Sequence, residues 1–100
     1  MGEIRAVRLR YTPNALRDID RAISYIDHQS PQGARNVAQR FHGILAFLQE
    51  HPYAGVSTGF KGTRRFFLKP YPYVVYFRVG KDELVILRLL HTSRKPKQPS

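Results

Sequence analysis

The residues best suited to chemistry lie in the last third of the chain, next to the ends of predicted strands. His91 closes an apolar run, where an imidazole could act as a general acid or base. The same residue is more simply a strand-end histidine that hydrogen-bonds to the backbone. Arg64 and Arg65 follow a glycine-rich segment. They could contact an anion or a partner, or be the solvated start of an edge strand.

Other reactive residue types give weaker patterns. Tyrosines alternate with cations, as they do in proteins that bind single-stranded nucleic acid, but β-propensity explains them more simply. These tyrosines are Tyr71, Tyr73 and Tyr76. The chain has no cysteine, which excludes disulfides, thiolate chemistry and Cys-type zinc sites. No metal-ligand spacing appears among His28, His42 and His51. We therefore expect no metal site and no cofactor.

Positive charge dominates this chain of 100 residues, whose formal net charge is +10. Residues 64–100 carry nine Lys and Arg against two Asp and Glu, so the charge is concentrated there. Such a field favours acidic partners. The length predicts one domain over 1–100, with a core at 5–92 and a basic flexible tail at 93–100. No apolar run reaches membrane-spanning length, and we expect a soluble, cytoplasmic protein with no membrane contact.

The elements that position these residues follow from apolar spacing. Two N-cap and proline pairs, Thr12-Pro13 and Ser30-Pro31, predict helices from Pro13 to about His28 and from Pro31 to near Glu50. Alternating patterns predict strands at 5–11, 64–69, 73–79 and 84–91. The glycine-rich segment 51–63 is predicted as one long loop.

Both predicted helices are amphipathic, with an apolar stripe that we expect to form the core. In the first helix the stripe consists of Leu16, Ile19, Ile23 and Ile26. Its acidic residues, Asp18, Asp20 and Asp27, are predicted to lie on a solvated charged face. In the second helix the stripe consists of Ala34, Val37, Ala38, Phe41, Ile44, Leu45 and Leu48.

These elements predict an α+β fold of two layers. A helical hairpin packs on one face of a mostly antiparallel four-stranded sheet, in the order β-α-α-β-β-β. In the last strand, Val85, Leu87, Leu89 and His91 are predicted to face the helices. The opposite face mixes cations with apolar residues, which suggests a protein partner. We assign the partner site to Arg65, Phe67, Tyr76, Arg78 and Arg88, together with the outer surface of the helices.

Four segments in this order resemble the ParE and RelE toxins of type II toxin–antitoxin systems. They are Tyr11-Thr12-Pro13 with the start of the first helix, the run from Ala38 to Leu48 closing on Pro52, the stretch from Gly62 to Val79, and the ending from Val85 to Arg94. The last two are similar to the ParE-type ending, a tyrosine-rich strand followed by His-x-x-Arg. The resemblance covers residues 5–96.

The resemblance implies a toxin that a ParD-like antitoxin neutralises through an acidic C-terminal segment. ParE-like members inhibit DNA gyrase by binding, whereas RelE-like members cut mRNA on the ribosome. RelE-like members usually carry an Arg on the central strand where this chain has Tyr73, and a phenol cannot supply a fixed cationic fork. This departure favours the ParE-like branch.

Two alternatives remain open. A RelE-like endoribonuclease would use Arg65, His91 and Arg94. An inactive basic binding module of the same fold would share the charge without the toxicity. For the ParE-like branch, the contacts to the target or to an anion are assigned to Arg64, Arg65 and Arg94.

Overall fold

The computed structural model describes residues 7–93. The elements are β1 (Arg8–Tyr11), α1 (Pro13–Gln29), α2 (Pro31–Glu50), β2 (Val56–Ser57), β3 (Thr63–Phe67), β4 (Tyr73–Val79) and β5 (Glu83–His91). The predicted order is confirmed, with one addition, because β2 lies inside the segment predicted as a continuous loop. Arg94, most of the predicted tail and the start of the first predicted strand lie outside the described residues.

The helical hairpin is joined through a single residue. The Ser30 N–H donates to the carbonyl of Ile26 at 2.7 Å and so ends α1. The Ser30 hydroxyl accepts from the Gly33 N–H at 2.9 Å and so begins α2. A proline follows at the first helical position, where no N–H is required. The backbone N–H of Ser30 thus pairs with a carbonyl at the end of α1, and its side chain pairs with an N–H at the start of α2.

The sheet has five strands in the order β1-β5-β4-β3-β2. All neighbouring pairs are antiparallel except β1 and β5, which are parallel. The prediction of four strands was wrong because a two-residue strand is too short to show an alternating pattern. The chain leaves β1 through the helical hairpin and then forms β2, β3 and β4 before β5 returns beside β1 in the parallel direction.

A register shift in β5 corrects the predicted assignment of its faces. Tyr76 pairs with Arg88 but Phe77 pairs with Ile86, so Leu87 has no partner across the ladder. One extra residue in a strand reverses the alternation before it. Consequently Ile86 belongs to the core, whereas Val85, predicted to face the helices, lies between Arg10 and Arg78 on the opposite face.

The buried face of α1 also differs from the prediction. Its buried residues are Ala15, Asp18 and Ala22, while Leu16 is 55% exposed and the isoleucines are only half-buried. Because two alanines face β5, the α1 backbone can approach that strand closely. The stripe predicted for α2 is confirmed, except that Ala38 is only half-buried.

The first turns of α1 take the place of a strand along the edge of β5. The Thr12 N–H donates to Ile86 O at 3.0 Å, and the Thr12 hydroxyl donates to Leu87 O at 2.9 Å. Farther along, Asp18 Oδ2 accepts from the Leu89 N–H at 3.0 Å. The backbone groups of β5 beyond the end of β1 are thus satisfied by α1.

Asp18 is consequently buried, and its prediction as a solvated residue was wrong. Its carboxylate accepts from Arg88 Nε at 2.7 Å and from Arg88 Nη2 at 3.1 Å, in addition to the Leu89 N–H. The pairing spans 70 residues of sequence, so no local pattern could reveal it.

The core lies between the hairpin and one face of the sheet. The largest fully buried side chains among residues 7–93 are Phe77, Leu48, Leu68, Leu84, Ile86, Val75 and Val85. Val85 belongs to the other face of the sheet, while the remaining six contact the helices or one another in a continuous cluster. Within residues 7–93, neither helix is long and apolar enough to span a membrane.

The loop before β2 packs tightly on the sheet at Gly55. A Cβ at this position would lie 2.6 Å from Phe77 Cζ and 2.8 Å from the backbone oxygen of Arg65. Real Cβ atoms do not approach other atoms so closely, so the site requires glycine. Gly43 in α2 is the opposite case, because a Cβ there would meet nothing within 4 Å.

We predict that Gly55→Ala lowers the free energy of unfolding by about 1–3 kcal/mol, because Phe77 or the backbone of Arg65 must move. Gly43→Ala should raise it by about 0.5–1 kcal/mol, since alanine is the better helix former. Urea unfolding followed by circular dichroism measures both values. A Gly55→Ala variant as stable as the wild type would contradict the close packing.

We also predict that Asp18→Ala lowers the free energy of unfolding by about 2–4 kcal/mol, because it leaves the Leu89 N–H and the Arg88 guanidinium without their acceptor. Asp18→Asn retains an acceptor and should cost less. The matched control is the exposed Asp20, whose replacement by alanine should change stability by no more than about 0.5 kcal/mol. Equal effects of Asp18→Ala and Asp20→Ala in urea unfolding would rule out the proposed attachment.

Candidate functional site

The five residues assigned to a partner site lie on one face of the sheet, which we call the open face because the helices cover the other. Across three neighbouring strands, Arg65 pairs with Tyr76 and Tyr76 pairs with Arg88. Phe67 and Arg78 lie two positions from Arg65 and Tyr76 on the same strands, so they share that face. The structure therefore brings this predicted set together.

The centre of the open face combines cations with exposed apolar surface. The Arg65 guanidinium carbon lies 5.7 Å from the centre of the Phe67 ring. Phe67 is 40% exposed, and Arg78 is exposed in the next strand. Arg65 Nε is buried and has no hydrogen-bond partner among the described residues. This part of the face thus places a cation beside an aromatic ring, and one hydrogen-bond donor of that cation has no partner within residues 7–93.

Arg88 differs from the other two arginines of this set because its guanidinium forms an ion pair within the chain. Its Cα lies on the open-face row, but its side chain reaches around the β5 edge to Asp18. The guanidinium therefore stabilises α1 against the sheet, and its charge is neutralised within the chain. The charge that the open face presents beside Tyr76 therefore comes from Arg65 and Arg78 rather than from Arg88.

Arg10 extends the open face at its other end, and sequence reasoning missed this residue. Arg10 Nε and Nη2 donate to the two oxygens of Glu83, both at 3.0 Å. These hydrogen bonds hold the pKa of Glu83 below its ordinary value. The alternation of Arg8 and Arg10 in β1 was the available signal, but the parallel register with β5 was needed to place them.

Arg64 and Arg65, assigned together as target contacts, point to opposite faces. Arg64 pairs with the core residue Phe77, on the side of the helices. Its Nη2 donates to the carbonyls of Tyr53 at 3.1 Å and Gly55 at 2.7 Å, and its guanidinium carbon lies 5.5 Å from the centre of the Tyr53 ring. Arg64 thus holds the loop before β2 in place.

His91 is likewise separated from Arg65. It pairs with Tyr73, and the two rings meet edge to face at 5.3 Å on the helix-facing side. Tyr73 is 7% exposed and belongs to the core. Two of the three residues proposed for RNA cleavage therefore lie on opposite faces, and the third, Arg94, lies outside the described residues. Between residues 7 and 93, no three His, Asp or Glu side chains are grouped so that they could hold a metal ion.

The sequence matches the family model described as the ParE toxin of the type II toxin–antitoxin system parDE, over residues 9–96. The candidate toxin Y4kP of Sinorhizobium fredii is 32% identical over 88 residues, which are 88% of this chain and 91% of that protein.

Solved structures agree with the sequence comparison. A chain from the chromosomal ParDE TA system of P. aeruginosa superposes with a TM-score of 0.74 at 26% identity, covering 86% of this chain and 96% of that one. A chain of the toxin–antitoxin complex RelBE2 of Mycobacterium tuberculosis shares the fold, with a TM-score of 0.55 at 22% identity. The match covers 91% of this chain and 97% of that one. This chain therefore belongs to the ParE family of type II toxin–antitoxin toxins.

Proposed function

We propose that this toxin acts by binding. A ParD-like antitoxin neutralises it by laying an acidic C-terminal segment across the open face and the outer surface of the helices. The free toxin inhibits DNA gyrase. The observation that carries the proposal is the cluster of Arg65, Phe67, Tyr76 and Arg78 on the face of the sheet that the helices do not cover.

The composition of this face supports a peptide partner more than bare phosphate. A phosphate backbone needs cations, whereas an amphipathic acidic peptide also needs apolar contacts. Phe67 and Val56 supply such contacts, with exposures of 40% and 55%, and Val56 pairs directly with Arg65. The excess of positive charge over the whole chain adds long-range attraction for an acidic segment.

The arrangement of the candidate catalytic residues supports binding over RNA cleavage. A general acid or base and a cation must reach the same scissile phosphate. Here the sheet separates Arg65 from His91. Tyr73, at the position where RelE-like toxins usually carry an Arg, is packed into the core and presents no charge.

We predict that Arg78→Glu weakens antitoxin binding about tenfold and reduces the salt dependence of the affinity, because it removes a cation and adds a like charge facing an acidic segment. Lys81→Glu is the matched control. It makes the same change of charge at an exposed residue in the turn between β4 and β5. Affinities are measured by calorimetry at several salt concentrations, using the antitoxin encoded beside the toxin gene.

Equal effects of Arg78→Glu and Lys81→Glu would show that only net charge matters and that the antitoxin lies elsewhere. Charge reversal at Arg88 is unsuitable for this test. It would place a second carboxylate against buried Asp18 and break the ion pair that holds α1 on the sheet.

We further predict that stoichiometric free toxin inhibits the supercoiling activity of DNA gyrase or traps its cleavage complex, and that the cognate antitoxin reverses the effect. In parallel, mRNA on programmed ribosomes should stay intact with the same toxin. Cut mRNA with unaffected gyrase would replace this proposal with the RelE-like endoribonuclease. Activity in neither assay, with DNA binding that falls steeply with salt, would indicate an inactive basic binding module.

A further inference from the structure

A cleft of about 320 Å³ lies between α1 and the ends of β4 and β5, on the helix-facing side of the sheet. Its floor is apolar and includes Ala22 and Leu89. Polar groups surround this floor, contributed by Arg21, Tyr25, Tyr73, His91 and Ser93. The volume is at the lower end of the range for ligand pockets, so it suits one small group rather than a long chain.

The strongest sign of a ligand is the hydroxyl of Tyr73. This side chain is 7% exposed, and its ring belongs to the core cluster. No group among residues 7–93 hydrogen-bonds its hydroxyl, and the side chain is one of those that line the cleft. Burial and the neighbouring Tyr25 raise the pKa of Tyr73, so the phenol stays protonated at neutral pH and can donate. Within residues 7–93 the buried side-chain atoms that lack a partner are Arg64 Nε and Arg65 Nε, so the Tyr73 hydroxyl is accessible at its tip and can donate to a ligand.

His91 adds a second donor of defined orientation. The Ser93 N–H donates to His91 Nδ1 at 3.1 Å, so Nδ1 must be an acceptor. The neutral imidazole therefore carries its hydrogen on Nε2. The Ser93 hydroxyl also contacts Nδ1, at 2.7 Å, and is consistent with the same tautomer. The hydrogen bonds of this short turn thus fix His91 as a donor through Nε2.

The charge balance of the cleft favours an anion. The carboxylate of Asp18 lines it, but this group already accepts three hydrogen bonds, two of them from Arg88. Arg21 lies one turn beyond Asp18 on α1, and among the described residues its side chain has no hydrogen bond or ion pair. The remaining polar groups are hydroxyls and an imidazole, which add no negative charge. The free charge in the cleft is therefore positive, and the acidic group present is satisfied.

We propose that this cleft binds a carboxylate carried on an apolar stem. The stem rests on Ala22 and Leu89 and against the exposed ring of Tyr25, while the carboxylate accepts from Arg21, Tyr73 and His91. The site is distinct from the open face, because the sheet lies between them. The carboxylate can come from a small organic acid or from an acidic residue of a bound polypeptide.

Benzoate is a suitable probe because it pairs a flat apolar ring with one carboxylate, and benzamide is its neutral counterpart. In amide NMR titrations of the free toxin, benzoate should shift Ala22 and Ser93 saturably in the low-millimolar range. Benzamide should bind at least about fivefold more weakly, since it lacks the charge. Equal binding of the two compounds, or no saturable shift with benzoate, would overturn the proposal.

Variants test which groups receive the carboxylate. Tyr73→Phe keeps the buried ring and removes only the hydroxyl, and Arg21→Gln removes the charge. Each should weaken benzoate binding about fivefold. The controls are Tyr71→Phe, a half-buried tyrosine outside the cleft, and Arg17→Gln, one turn away on α1, both with unchanged binding. If Tyr73→Phe and Arg21→Gln bind benzoate as the wild type does, the site is not the one proposed.

Repeating the titration on the toxin–antitoxin complex distinguishes the two sources. If the antitoxin supplies the carboxylate, benzoate no longer binds until the acidic residues of the antitoxin are replaced by amides. If a free organic acid is the ligand, benzoate binds the complex as it binds the toxin. Both results support the site and assign its ligand, and neither depends on gyrase inhibition.

Discussion

The attachment of α1 to the edge of β5 organises the rest of this molecule. Thr12 and Asp18 satisfy backbone groups of β5 that β1 is too short to reach. This contact determines where α1 crosses the sheet, and the small residues Ala15 and Ala22 allow the close approach. It also draws Arg88 away from the open face and forms one wall of the cleft. A single carboxylate, Asp18, thus contributes to the fold, the charge distribution and the site.

The two faces of the sheet have different chemical characters as a result. Some of the basic residues are neutralised internally, Arg10 by Glu83 and Arg88 by Asp18. Arg64 is occupied by the carbonyls of a loop. The cations left for a partner are therefore fewer than the 17 Lys and Arg of the sequence, and those placed beside exposed apolar surface are Arg65 and Arg78. On the helix-facing side, Arg21 lines the cleft and has no hydrogen bond or ion pair within residues 7–93.

Local features of the sequence were sufficient to predict the order of the elements other than β2. The Thr12-Pro13 and Ser30-Pro31 pairs marked both helix starts correctly, because a cap is satisfied within its own turn. The open-face set was also predicted, since strand alternation held on β3 and β4. These predictions needed no knowledge of which strands are neighbours.

The predictions that failed depended on contacts distant in sequence. The extra residue at Leu87 reversed the faces of the first half of β5, and no residue type announces such a shift. Asp18 looked like any acidic residue of an amphipathic helix until its partner Arg88 was known. The cleft was not predicted either, because it joins one turn of α1 to the ends of two strands.

The single-residue connection at Ser30 has a consequence for recognition. Because the same residue terminates one helix and caps the next, no intervening segment can serve as a hinge. The two helices of the hairpin then form one template whose parts have no connecting segment that could let them swing apart. A partner that associates with such a template must do the adapting, so the entropic cost of ordering falls on the partner chain. The more structure that chain possesses before it binds, the smaller this cost becomes.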